Sequence, residues 1–444
     1  MPRRLVCATA LLLAGQAWAD DGPNYQSNLF GDMAGLRPTL ANAGLTLTAS
    51  DTSEVLGNPT GGVRNEAIFE GAGFASLGFD AGQVGLLQGF TAQVSAWGIY
   101  GRGLTGNAID NLNIVSNLEA DRSLRLFELW VEQSFADGRI SLRIGQQAAD
   151  QEFMIDPYAT PLINAEFGFP LLPSLDMPSG GPAYPLATPA VRLTLRLTNR
   201  ITLLAALYNG DPAPPVQAGN PVNDPQARDN AGTNFRIDAG AMWFAELQYA
   251  YSQGEHAAGE PGTVKIGAWY NTDLFADQRL DASGRSLADP SSSGHPLLRS
   301  RDWSIYALVN QQVWQGGGVF LRVMGAPGDR NLIDYNVDGG LNLQGILASR
   351  PNDTLALGFV WGHVGTAASK LDGDIGYVTG HPYPVRRWEP AFEATYQAQL
   401  TPWWQVQPDC QYIVRPGGGL PYPAGPARPI GDALVLGARS LVTF

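Results

Sequence analysis

The densest chemistry in the sequence lies between Asn117 and Gln146. Glu119, Asp121, Arg122, Arg125, Glu128 and Glu132 follow one another at close spacing, and Arg139 and Arg143 stand on the next segment. Guanidinium groups donate in a fixed fork and carboxylates accept from several directions. Side by side they can grip a solute that carries many hydroxyls. Trp97 and Trp130 add flat apolar faces on which a ring could stack, and Arg192 and Arg196 repeat the donor pattern further on. A row that mixes acid and base also serves as a solvated, self-paired surface, so what these groups do depends on the elements that hold them.

The alternatives with stronger signatures fail on spacing. No H-E-x-x-H and no G-x-S-x-G occurs, and His256, His295, His363 and His381 are scattered. Lys265 and Lys370 are each followed by an aliphatic residue, which excludes a P-loop. Gly101 to Gly106 matches G-x-G-x-x-G, with Asp121 downstream, but no βαβ series surrounds it. A short loop helix turned toward a lumen is the better reading there, since Ile109, Leu112, Val115 and Leu118 have near-helical spacing. Asp334, Asn336 and Asp338 copy the first half of an EF-hand loop, but Gly345 occupies the twelfth position where a bidentate Glu is needed. A polar-faced strand accounts for them. The sequence therefore predicts no catalytic residue, no metal site and no cofactor.

The elements that must hold the charged segment are strands. Phe90–Trp97, Arg139–Ile144, Arg192–Leu197, Thr263–Tyr270 and Trp388–Tyr396 alternate apolar and polar residues. Successive strand side chains point to opposite faces, so each strand has one oily and one polar face. On the strand through Trp130, the reading puts Glu128, Trp130, Glu132 and Ser134 on one face and Phe127, Leu129 and Val131 on the other. One helix is expected near the start, within Phe30–Ala43, with Leu36 and Leu40 on one side. Asn209–Pro225, Asp281–Pro296 and Pro416–Pro429 read as surface loops.

Composition selects where the oily faces go. The chain begins with Arg3 and Arg4, an apolar run from Leu5 to Ala14 and the small-x-small site Ala17–Ala19, the pattern of a cleavable secretory signal over residues 1–19. Its removal takes away two arginines and no carboxylate, which lowers the net charge from −13 to −15. A balance this acidic excludes nucleic acid as partner. Only Cys410 then remains, so no intramolecular disulfide forms. No later stretch holds 18 consecutive apolar residues, which excludes membrane-spanning helices. Aromatics cluster at segment ends (Tyr249 and Tyr251, Trp269 and Tyr270, Trp403 and Trp404), and the chain ends on the alternating Leu441-Val442-Thr443-Phe444. Charges within strands and aromatic girdles suit a transmembrane antiparallel β-barrel with lipid outside and a wet lumen inside. At about 26 residues per strand and connection the chain builds about 16 strands. Residues 20–444 form a single barrel domain in the outer membrane, in contact with its lipid and lipopolysaccharide.

Four stretches carry a resemblance to a known family: Phe30–Leu45 (FGDMAGLRPTLANAGL), Arg125–Phe153 (RLFELWVEQSFADGRISLRIGQQAADQEF), Pro178–Leu193 (PSGGPAYPLATPAVRL) and Gly345–Phe359 (GILASRPNDTLALGF). The chain resembles the carbohydrate-selective porins of the OprB type. The resemblance implies a 16-stranded outer-membrane barrel in which charged and aromatic side chains form a narrowed eyelet. Glucose-like mono- and small oligosaccharides would pass it down their gradient into the periplasm. It carries over chiefly Arg125, Glu128, Glu132 and Arg143. With the residues read directly, the expected pore lining is Trp97, Glu119, Arg122, Arg125, Glu128, Trp130, Glu132, Arg143, Arg192 and Arg196. The rival reading is a general or weakly anion-preferring porin without sugar selectivity. A homotrimer is left open.

Overall fold

The computed structural model describes residues 25–216, 224–253 and 259–444. The expected leader, His256 and the middle of the Asn209–Pro225 stretch lie outside them. Sixteen antiparallel strands close into a barrel. In chain order they are β1 (Leu45–Gly62), β2 (Ala67–Asp80), β3 (Phe90–Gly101), β4 (Ser123–Phe135), β5 (Ile140–Gln147), β6 (Thr188–Arg196), β7 (Ile201–Asn209), β8 (Ala241–Tyr251), β9 (Gly262–Asp281), β10 (Pro296–Trp314), β11 (Gly317–Gly325), β12 (Ile333–Gln344), β13 (Thr354–Val364), β14 (Trp388–Thr401), β15 (Trp404–Ile413) and, after a small hairpin of β16 (Pro421–Tyr422) and β17 (Gly425–Pro429), β18 (Gly431–Thr443). Each barrel strand pairs with its neighbours along the chain, and β18 closes the ring against β1 with Ser50 opposite Thr443. Closure leaves no open edge, which hydrocarbon would not tolerate.

The alternation read from the sequence sorts the two faces. Outward positions such as Val55, Phe69, Val131, Ile266, Ile305, Leu321 and Phe392 are exposed. Inward positions such as Glu54, Arg143, Glu246, Arg322, Glu393 and Arg439 are buried. An apolar outside with a polar inside is the membrane-barrel arrangement. Among the described residues no helix is long and apolar enough to cross a membrane.

One face assignment changes. Phe127 (2% exposed) and Glu128 (2%) both point inward. Opposite them β3 offers only Ser95, because the register slips between Val94 and Ala96. This β-bulge places two residues against one and shifts the phase of the strand. Phe127 therefore joins the lumen and not the lipid face, and Ser95 Oγ accepts the Glu128 N–H at 3.2 Å.

The expected N-terminal helix forms as α1 (Leu36–Asn42). Arg37 on it donates to the backbone carbonyls of Leu47 and Phe444, and Phe30 stacks on Phe444 with ring centroids 5.6 Å apart. Asp281–Pro296 is a loop as expected. Pro416–Gly419, expected at the surface, is buried, because Glu389 accepts the Gly417 N–H at 2.6 Å and draws the segment inward.

Connections differ by rim. The rim that carries the start of β1 and the end of β18 has short turns, such as 136–139 and 402–403. The opposite rim carries longer loops, and among the described residues segments 102–122, 148–187, 224–240 and 416–419 make contacts inside the barrel.

Candidate solute conduit

The inward loops are held by wall side chains that bond to loop backbone. Glu246 on β8 accepts the Met154 N–H at 2.9 Å, and Glu393 on β14 accepts those of Ile163 (2.5 Å) and Asn164 (2.9 Å). Arg322 on β11 donates to the carbonyls of Met154 (2.8 Å) and Glu166 (2.6 Å) while pairing with Asp338 at 2.8 Å. Lys265 reaches the Ile155 carbonyl at 2.6 Å and Gln407 the Pro161 carbonyl at 2.6 Å. Buried backbone groups must be paired, and here the barrel wall supplies the partners that a loop cannot make for itself.

Packing reinforces these bonds. Phe153, Met154, Leu171, Leu172 and Met177 of loop 148–187 bury against inward Tyr208, Met242, Phe244, Trp269, Tyr306 and Met324. Two wall glycines on β13 make room. A Cβ at Gly358 would lie 2.5 Å from the Phe167 ring, and one at Gly362 would collide with Leu171. Loop 102–122 docks on the far wall, with Leu104, Ile109 and Val115 against Leu56, Ile413 and Val435. Its G-x-G-x-x-G stretch leads from the end of β3 at Gly101 into a single π-type turn, Thr105–Ile109. Glu389 on β14 accepts from Leu112 N (2.9 Å), Asn113 N (2.7 Å) and Asn113 Nδ2 (2.7 Å).

The residues singled out from the sequence divide into three groups. Trp97 and Glu119 border the cavity described below. Arg125, Glu128, Trp130, Glu132, Arg143 and Arg192 face inward but are engaged between wall and loop. Arg125 donates to the carbonyls of Pro185, Gln226 and Asp229 at 2.8–3.0 Å. Arg143 contacts Glu132 (2.7 Å) and Glu152 (2.6 Å), and Arg192 contacts the same two carboxylates at 3.0 and 3.1 Å. The Arg143 guanidinium also lies 3.8 Å over the Trp130 ring. Glu128 accepts the Ala148 N–H at 3.2 Å. Arg122 and Arg196 are exposed, outside this network; Arg122 caps the Gly101 carbonyl at 2.6 Å. Glu152, the loop carboxylate that completes the four-membered network, carries no spacing signal; its role needs loop 148–187 folded onto β5 and β6.

Between the loops lies a cavity with about 1390 Å³ of empty space, counting what is open to solvent. The enclosed part that solvent can fill is about 240 Å³, just under the roughly 300–1,000 Å³ of ordinary small-molecule pockets, which is the scale of one small solute. Loops 102–122 and 148–187 supply nearly all of its lining. Carboxylates (Glu119, Asp150, Asp156, Glu166), Asn117, Gln151, Thr160 and Gln226 alternate with Trp97, Phe167, Phe169 and Tyr184. No lysine, arginine or histidine borders it among the described residues.

The model of the carbohydrate-selective porin, OprB family, matches residues 74–444. The chain is a member of the OprB family. It is 23% identical to Porin B of Pseudomonas aeruginosa over 72% of this chain and 68% of that protein. It is 22% identical to a putative porin, QuiX, of Acinetobacter baylyi over 99% of this chain and 97% of that one. In structure it is similar to Pseudomonas putida OprB at high pH, with a TM-score of 0.81 and 20% identity over 95% of this chain and 99% of that one. Against the low-pH structure of the same protein the TM-score is 0.56. The chain is thus an outer-membrane carbohydrate porin, and its family and fold are those of a channel.

Within this porin Asp334, Asn336 and Asp338 sit on β12 and serve other partners: Asp334 contacts His363 at 2.6 Å, Asn336 donates to Glu166 at 2.6 Å and Asp338 pairs with Arg322. Burial pushes three cavity carboxylates up, Glu119 to about 7 and Asp150 and Asp156 to about 6. Around Glu119, the Glu54 carboxylate raises it further, and Glu70 and Arg439 complete the charged neighbourhood. All three carry charge above this window and lose it below. Whatever cation preference the porin has is expected to weaken as pH falls from 8 to 5, read as a shrinking reversal potential in a salt gradient.

Proposed function

We propose that the cavity between loops 102–122 and 148–187 is the conduit, and that uncharged glucose-like mono- and small oligosaccharides diffuse through it down their gradient into the periplasm. One observation carries this reading: the barrel lumen is narrowed by its own loops to a sugar-sized space bordered by hydrogen-bonding groups and aromatic rings. Polar groups replace part of the solute's hydration, and contacts that stay weak let it leave again. No energy input is required. The chain reaches the outer membrane after loss of residues 1–19, and a homotrimer would assemble three such pores side by side. The rival, a weakly anion-preferring pore, is disfavoured by a lining without cations. In a planar bilayer, millimolar-to-molar glucose is expected to block single-channel current in a saturable way. Current that glucose leaves unchanged at every concentration rejects the sugar conduit.

A further inference from the structure

We propose that the outward bulge of β10 at Arg301 is a binding site for a phosphate of lipopolysaccharide in the outer leaflet. The site lies outside the lumen and does not depend on which solute the porin conducts.

A row of aromatic side chains sets its depth. Trp243, Tyr270 and Trp303 stand side by side across β8, β9 and β10, paired in register. Trp243 and Trp303 are exposed on the outer wall. Membrane barrels carry such aromatic girdles at the two interfaces, and their longer loops face the cell exterior. This row lies toward the rim with the longer loops. Along β10, Arg301, Trp303 and Ile305 are exposed while Asp302, Ser304 and Tyr306 are buried. Arg301 therefore shares the outer face with Trp303 and stands two residues above it, at the level of outer-leaflet headgroups.

The backbone is shaped to present it. The β9–β10 register slips between Ser300 and Asp302, and a bulge of this kind re-aims a side chain. Ser300 and Arg301 both turn outward as a result. Arg301 has φ +69°, and among the described residues it is the only non-glycine position of a barrel strand with positive φ. That conformation is uncommon for a residue with a side chain. Arg330 holds it in place by donating to the carbonyls of Ser300 and Arg301.

The local charges do not balance without a ligand. Arg299 contacts Asp277 at 2.6 Å and Asp329 at 3.0 Å, and Arg330 contacts Asp329 at 2.8 Å. Asp302 is turned inward, where it accepts from Asn331 at 2.9 Å. Arg301 contacts no carboxylate among the described residues. An uncompensated cation on a face that meets lipid is costly, and a guanidinium fork matches the oxygens of a phosphate. Exposed Leu274 and Leu298 flank the bulge. A ligand that satisfies all three residues joins phosphate to acyl chains. Lipopolysaccharide offers both at this depth; free phosphate offers only the first.

The test is native mass spectrometry of purified full-length porin released from detergent, which counts bound lipid. Bisphosphorylated lipid A is expected to bind at least about fivefold more tightly than dephosphorylated lipid A, the contribution of one arginine at an anionic surface. Inorganic phosphate at the same concentration is expected to leave the protein bare. Arg301→Gly accepts the positive φ without strain, so it keeps the bulge and removes the guanidinium; it is expected to weaken lipid A binding about fivefold. Arg301→Lys keeps the charge without the fork and is expected to fall between. Equal binding of the dephosphorylated lipid overturns the proposal, as does native affinity in Arg301→Gly. Inorganic phosphate binding as tightly as lipid A makes this a site for the free anion and overturns the lipid assignment.

Discussion

Replacement of Arg322 by alanine is expected to raise single-channel conductance several-fold and to abolish saturable block by glucose. Arg322 is 1% exposed and holds loop 148–187 at two carbonyls while neutralising Asp338. Its guanidinium also lies 3.8 Å from Glu166. Removing one member of a buried charge pair costs about 3–5 kcal/mol, chiefly because the partner is left uncompensated. The barrel ladder itself does not depend on Arg322, since its β-strand bonds are made by backbone. The strain therefore falls on the loop, which can escape into the lumen and hydrate. Protease added on the loop side should cut between residues 148 and 187 in the variant and spare the native protein. Arg322→Lys keeps the charge but not the fork, so it should fall between the two. Native conductance and native protease resistance in Arg322→Ala would mean that packing alone holds the loop.

Replacement of Glu389 by alanine is expected to free loop 102–122. The carboxylate accepts from Leu112 N, Asn113 N, Asn113 Nδ2 and Gly417 N, all at 3.0 Å or less. A buried donor left without a partner costs about 1–3 kcal/mol, and several lose theirs at once. The expected readouts are a noisy open state, protease cleavage between residues 102 and 122, and a lower thermal midpoint. Glu389→Gln retains one acceptor oxygen and should be milder. A quiet channel with an intact loop in Glu389→Ala would show that the apolar contact of Ile109 and Val115 with Ile413 and Val435 is sufficient.

Both predictions give wall charges a loop-holding part that no sequence pattern announced. Arg125, Glu128, Glu132 and Arg143 stand in a row whose inward face is legible from period-two alternation. What touches them is not. The Glu132–Arg143–Arg192 contacts needed strand register and Glu152 from a loop, and the bulge at Phe127 shifts the phase in the middle of the row.

The division between sequence and tertiary structure follows range and chemistry. Strand faces depend on local alternation, so Thr263–Tyr270 or Trp388–Tyr396 disclose a barrel with oil outside and polar groups inside. Closure follows, because lipid leaves no other way to pair the backbone. The family is legible from Arg125–Phe153 and Pro178–Leu193. The cavity depends on contacts such as Leu112 with Glu389, 277 residues apart, and Arg322 with Met154, 168 apart. Half of each contact is a backbone N–H or carbonyl, which every residue carries and no side-chain pattern marks. The sequence by itself therefore determined which strand face turns to the lumen, except where the bulge at Phe127 shifts the phase. Only the tertiary structure decided which residues of that face border the cavity and which hold the loops around it.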